Sequence, residues 1–460
     1  MEHTRLFTRS SGCTPGVILY RLRGALFFAS ILLLGGCATA GNPPVVDIGS
    51  SDTKALRQAI EDVSGRSKTG SYDDAPITDK LTRLIAKYDP EAAILLQRVE
   101  VLPAESSEGE RRVVISSADA AKYPGLNLGQ YVAGSAPRGY RRWLRAVALQ
   151  DSLGEMGEVD TALHEQNHVY QNRWAQFIRS QLVAKGNAEA IRFNQREDLV
   201  FAAYFFGRQR TDILQEFRLT PIRELGARIP VALRTFRFPV YVSGEGVGQY
   251  HASQKYGIYG LLSEYSSYYW DQRLRLDLFP WFVQQTDQSA LHWLEVVSWT
   301  GRTMPAFAEF RYFILEYLAM EKELHPDEYR KIMDDQDLRR TFTDLDDAYI
   351  TLIKDVVAFA STTLPRTLEK KGIKVAWEHP RILGTWTKAY DYSFWIEADK
   401  IISGAVWKWN DYYILGKELR TERLRRIADE FRLHPAAELP PLELPLPKAR
   451  DWIPKVKGES

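Results

Sequence analysis

The run His164-Glu165-Gln166-Asn167-His168 constrains this chain more than any other feature. On a helix, residues four apart lie one above the other on the same face, so the run sets two imidazoles side by side with a carboxylate next to them. That is half of a metal site. A catalytic zinc takes three protein ligands and keeps a fourth position for water, so the fold has to deliver a third ligand from another element. Between Thr161 and Tyr170 the only formal charge is Glu165. The competing account is a solvated helix that carries two histidines by coincidence, and a chain with only eight histidines makes it the weaker one.

The uncharged surroundings of this run resemble the extended signature of the zincins, whose active-site helix is buried; Gln166-Asn167 departs from it, because zincins more often carry small or apolar residues there. Metzincins continue the run with a glycine and a third histidine, and Gln171 and Trp174 stand in those places. That class is excluded. Gluzincins take a glutamate from a second helix, and Gly257 to Trp270 is the segment that fits, with Glu264 a lone acid among apolar, hydroxyl and aromatic residues. An ionised carboxylate in such surroundings is costly unless it meets a cation or a metal. His164, His168 and Glu264 are therefore the expected ligands of Zn2+. Pairing of Glu264 with an arginine such as Arg273 is the alternative, and Glu245, Glu316 and His251 are rival ligands.

Roles follow from the resemblance. Zinc lowers the pKa of a bound water and polarises a carbonyl, and Glu165 would take that water's proton and pass it to the leaving amine. Glu165 is then a base and not a ligand. Tyr268 is the expected hydrogen-bond donor to the developing oxyanion, with Tyr265 and His251 as alternatives. Asp271, two turns beyond Glu264 on the same face, is placed to orient a ligand histidine. The resemblance implies hydrolysis of a peptide or protein substrate. A non-catalytic lipoprotein that keeps a metal-binding helix, and a metal-dependent hydrolase of a non-peptide substrate, remain open.

Residues 1–36 read as an address. Arg5, Arg9, Arg21 and Arg23 give a basic start, and Ala25 to Leu34 is an apolar run too short to span a bilayer as a stable helix. Leu34-Gly35-Gly36-Cys37 resembles a bacterial lipobox, which implies cleavage before Cys37, acylation of its thiol and a lipid anchor in the cell envelope. Ala38 is not the aspartate of an inner-membrane retention signal, which points to the outer membrane. The basic region is long for such a signal, so translation starting downstream, for example at Val17, fits the pattern.

Cys13 leaves with the signal and Cys37 carries lipid, so no thiol remains for a disulfide or a metal. Residues 1–36 take four basic and one acidic side chain from the totals of 60 and 59, leaving a formal charge of −2. Nothing in that balance points to nucleic acid. Residues 37–52 are small and lack a helical period, as a flexible tether should. Residues 53–434 form the body, with a possible N-terminal subdomain over 53–137, and the Pro-rich tail 435–460 is extended, lying against the body or hanging free.

Spacings of three and four between apolar residues predict helices over Arg138–Met156, Val159–Val183, Arg196–Phe217, Pro305–Leu324, Leu338–Phe359 and Trp409–Phe431. Arg112–Ser116 and Arg234–Val242 have strand composition, and Phe236–Val242 is the expected edge strand for pairing with a substrate backbone. The fold class is mainly α (α+β): a large helical body with a small sheet and a zincin-like pair of active-site helices. The aromatic groups Tyr268-Tyr269-Trp270 and Leu278 to Phe282 read as core. Asp334 to Asp337 and Asp344 to Asp347 read as helix starts or solvated faces, and Arg420 to Arg426 as a solvated basic stripe.

Overall fold

Two helices organise the molecule because almost every turn of each is apolar, which suits burial on all sides. The computed structural model describes residues 58–59, 80–101, 156–187, 201–207, 209–214, 220–245, 254, 256–285, 290–378, 395–397, 401–405 and 409–441. In chain order the helices are α1 (Lys80–Tyr88), α2 (Pro90–Val101), α3 (Met156–Ala184), α4 (Gly257–Gln284), α5 (Ala290–Leu324), α6 (Pro326–Asp334), α7 (Gln336–Ala358), α8 (Leu364–Lys370), α9 (Trp409–Glu418) and α10 (Glu422–Phe431). The pair buried along most of its described length is α4 and α5. Ile258, Leu261, Leu262, Trp270, Leu274 and Phe282 of α4 pack with Phe307, Phe310, Phe313, Ile314 and Leu318 of α5 in one continuous core.

Helix α3 lies against α4 through a stripe that includes Leu163, Tyr170, Trp174, Ile178 and Leu182. A buried ion pair, Arg275 with Asp160, ties the same two helices. Helices α1 and α2 close the other side of α4, where Arg273 reaches Asp89 at 3.3 Å and also pairs with Glu91 and Asp277. The described fold is mainly helical with little sheet. Among the described residues, no helix is long and apolar enough to cross a membrane.

Four of the expected helices and strands change. The described residues of Arg196–Phe217 are not helical: they form the antiparallel hairpin β1 (Phe201–Phe206) and β2 (Gln209–Leu214), with Phe201 opposite Leu214. Gly207 makes the bend at φ +60°, a region that favours glycine, and the aromatic run before it supplies strand propensity. Arg234–Val242 is not a strand. It contains a helical turn, Phe238–Tyr241, with Pro239 near its start, where a missing N–H costs nothing. The helix expected to begin at Pro305 begins at Ala290, because burial of Trp293, Val296 and Trp299 outweighs the hydrogen bond that Pro305 removes. Trp409–Phe431 is two helices, α9 and α10, separated at residues 419–421, where Thr421 turns to extended backbone.

The second sheet orders β3 (Lys374–Glu378), β5 (Ile401–Ala405) and β4 (Trp395–Glu397), with β5 in the middle. Asp335 caps α7 by accepting from the N–H groups of Asp337 and Leu338, as a helix start should. Asp346, by contrast, is not on a solvated face. It is fully buried between Arg311 and Arg432 and accepts a hydrogen bond from the Tyr265 hydroxyl at 2.9 Å. Arg423 of the basic stripe pairs with Glu316. Pro440 and Pro441 of the tail lie against α9, where the Tyr412 hydroxyl donates to their carbonyls. Residues 1–52, Arg112–Ser116 and 138–155 lie outside the described residues, so Cys37 and the lipidation signal do too.

Candidate metal centre

Helix α3 presents His164 and His168 to α4, and α4 returns Glu264. His164 Nε2 lies 3.2 Å from His168 Nε2, and Glu264 Oε2 lies 3.5 and 3.6 Å from the two. Among the described residues this is the group of three His, Cys, Asp or Glu side chains whose ligand atoms converge. Glu264 is 5% exposed and its Oε2 makes no hydrogen bond. His168 and Glu264 stand 96 positions apart in sequence, and between them lie the rest of α3, the hairpin, the Phe238–Tyr241 turn and the start of α4.

Each histidine is held from behind. His164 Nδ1 faces Asp271 Oδ2 at 3.8 Å, and the Tyr268 ring meets the His164 ring edge to face at 4.6 Å. His168 Nδ1 lies 2.9 Å from Ser263 Oγ and 3.4 Å from Ser267 Oγ. The Asp271 carboxylate favours hydrogen on His164 Nδ1, and a serine hydroxyl is able to accept a hydrogen from His168 Nδ1; in that tautomer each Nε2 lone pair turns toward Glu264.

Electrostatics follow the geometry. Burial alone would raise the Glu264 carboxyl, but His168 and His164 hold it well below the usual carboxylate range. Burial would lower His168, and Glu264, with a smaller contribution from Glu165, raises it above the ordinary histidine value. Glu165 therefore lies within electrostatic reach of His168, on a half-buried position of α3.

Tyr268 is half-buried one turn after Glu264. Its hydroxyl shares a hydrogen bond of 3.2 Å with the hydroxyl of Tyr241, and its ring stacks on Phe310 under the Arg237 guanidinium, 4.5 Å from the ring centre. Burial pushes both phenols up, and the nearby Glu264 carboxylate pushes the same way. Arg237 is fixed by Glu309, which is fully buried and accepts from Arg237 Nη1 at 2.6 Å and from the Arg237 backbone N–H at 2.8 Å.

The remaining candidates sit elsewhere. Arg273 pairs with Asp89, Glu91 and Asp277 rather than with Glu264. Glu245 is exposed, Glu316 is taken by Arg423, and the Tyr265 hydroxyl is spent on Asp346. His251 lies outside the described residues. Sequence reasoning missed Tyr241, Ser263, Gln171 and Asn167. Asn167 marks a departure from the zincin pattern, yet it is fully buried and its amide donates to Ser266 Oγ at 3.1 Å and Ser267 Oγ at 2.9 Å. The available signal was the hydroxyl spacing Ser263, Ser266, Ser267, which places three small donors on one face of α4.

No protein-family model, curated protein or solved structure gives a significant match to this chain. The reading of the site therefore rests on its own chemistry. Ligand distances of about 2.0–2.2 Å in a tetrahedral site imply ligand-to-ligand edges of about 3.3–3.6 Å. The three atoms here form a triangle of 3.2, 3.5 and 3.6 Å. Two imidazole lone pairs and a carboxylate oxygen at such spacing repel unless a cation or proton lies among them. The donor set, nitrogen and oxygen without sulfur, suits zinc.

Proposed function

We propose that this chain is a zinc-dependent peptidase of zincin type, held in the bacterial cell envelope by lipid on Cys37 and facing a peptide or protein substrate. The observation that supports this reading most is the triangle of His164 Nε2, His168 Nε2 and Glu264 Oε2, whose edges match one face of a zinc tetrahedron. His164, His168 and Glu264 would hold the ion. Bound zinc would lower the pKa of a water molecule toward neutrality and polarise the carbonyl under attack.

The chain's own groups do the rest. Glu165 accepts the proton of the attacking water and delivers it to the departing nitrogen, and its place beside His168 without joining the ligand triangle suits a base. Asp271 holds His164 with Nε2 forward. Tyr268 offers its hydroxyl hydrogen to the oxygen that gains charge, with Tyr241 fixing the direction of that hydroxyl.

The test begins with the full chain purified in detergent. Elemental analysis should find about one zinc per chain, and His168→Ala should lose most of it. A peptide library screened with the zinc-loaded protein supplies the substrate. Glu165→Gln should then keep the metal while losing hydrolysis by roughly two or more orders of magnitude, the range of general-base contributions. Failure of the parent to take up zinc, or full activity in Glu165→Gln, would overturn the proposal.

A further inference from the structure

His168 is braced by groups that the two-histidine run does not itself require. Ser263, on α4 immediately before Glu264, lies 2.9 Å from His168 Nδ1, and its hydroxyl donates to Gln171 Oε1 at 2.5 Å. Gln171 is buried, three residues beyond His168 on α3, so the serine of one helix is clasped between two side chains of the other. A hydroxyl carries a single hydrogen. Once Gln171 takes it, Ser263 can offer His168 only a lone pair, and a lone pair is satisfied only by an N–H. The direction of the whole chain is thereby fixed: hydrogen on His168 Nδ1, and a bare Nε2 turned toward His164 and Glu264.

Ser267 backs the same nitrogen at 3.4 Å, and it already accepts from the Asn167 amide at 2.9 Å. The contact of Asn167 with Ser266 joins the helices without reaching a ligand atom, and the one with Ser267 reaches His168 Nδ1 only at the longer distance. Those of Gln171 and Ser263 end on the ligand.

We propose that Gln171 and Ser263 form a positioning relay that selects the His168 tautomer and ring orientation, and so sets how tightly the site holds its metal; this rests on the reading of the triangle as a metal centre. Without the relay the imidazole divides its time among two tautomers and two ring flips. Only one of these arrangements aims a lone pair from Nε2 at the ion. Partners behind a ligand histidine typically change metal affinity by about 10–100-fold when removed.

The experiment uses the full chain in detergent and the metal alone as probe. Zinc affinity is measured by competition with a chromophoric chelator, the cobalt-loaded site by its visible absorption, and the metal-free protein by thermal unfolding. Ser263→Ala and Gln171→Leu should each weaken zinc by about 10–100-fold and alter the cobalt spectrum, a loss larger than any fall in the unfolding temperature of the metal-free protein accounts for. Gln171→Glu keeps an acceptor facing Ser263 and should restore parental affinity or exceed it. A parent that binds no zinc removes the metal centre and the relay with it. A parent that binds zinc, with Ser263→Ala and Gln171→Leu binding it equally well, overturns the relay and leaves the metal centre standing. Affinity that falls only in step with the metal-free unfolding temperature also overturns the relay, because packing then explains it.

Discussion

Replacing Glu309 by leucine tests how the tyrosine side of the site is supported. Glu309 is fully buried, Arg237 is 9% exposed, and the carboxylate receives both the guanidinium and the Arg237 backbone N–H. Removing one partner of a buried pair leaves a charge without its counterion, which costs about 3–5 kcal/mol. The stranded backbone N–H adds about 1 kcal/mol or more. Glu309→Leu should therefore destabilise the protein by about 4–6 kcal/mol, a large part of a typical stability of about 5–15 kcal/mol. The double variant Arg237→Met/Glu309→Leu strands no charge at this place, so the backbone loss and the lost guanidinium–Tyr268 contact, about 2–4 kcal/mol together, should remain. Urea unfolding followed by circular dichroism and tryptophan fluorescence measures both, with coincident transitions as the condition for comparing midpoints. Neither residue touches His164, His168 or Glu264, so the folded double variant should still take up zinc. A double variant as unstable as Glu309→Leu would refute the reasoning, since the pair would then not be what Arg237 needs.

Cys37→Ser should abolish acylation and leave the protein soluble or as an uncleaved precursor, whereas the parent fractionates with membranes; mass spectrometry of a mature chain with an unmodified Cys37 would contradict this. Asp277 and Asp89 share Arg273, and burial raises both above the ordinary aspartate range, with the charge of Glu91 adding to it at Asp89 and the charge of Asp89 adding to it at Asp277, which reaches about 7. A carboxyl raised in the folded state contributes stability that is fully present below its unfolded pKa of about 3.9 and is lost as pH climbs through the folded value. Unfolding temperature should accordingly fall between about pH 4 and pH 7 in the parent and fall less in Asp277→Asn; equal slopes would show that these acids are not raised.

The convergence of His164, His168 and Glu264 was legible because two histidines four apart on a helix share a face, and an acid alone among apolar residues needs a partner. The supporting residues were not. Asn167, Gln171 and Ser263 are polar residues on helices, and a polar residue on a helix looks solvated until the facing helix is known in register. Tyr241 was hidden by its segment. Arg234–Val242 has the β-branched and aromatic content of a strand, but Pro239 and the anchored Arg237 coil it into the turn that carries Tyr241 to Tyr268. Phe201 to Leu214 failed for a related reason, since apolar residues spaced three and four apart occur by chance in a strand buried on both faces.

The seam between α3 and α4 makes assembly of the triangle all or none. An apolar seam tolerates sliding, because one methyl group replaces another at little cost. Here the Asn167 amide is matched to Ser266 and Ser267, and His168 to Ser263. A slip of one helical turn, about 5.4 Å, would in one direction set Asn167 against Trp270 and in the other take Ser263 from His168. Either slip carries Glu264 beyond reach of both histidines, and the stranded amide and hydroxyl groups add the desolvation cost of unmet hydrogen bonds. Intermediate registers have nothing to hold them, so the helix pair docks with all three side chains in place or with none.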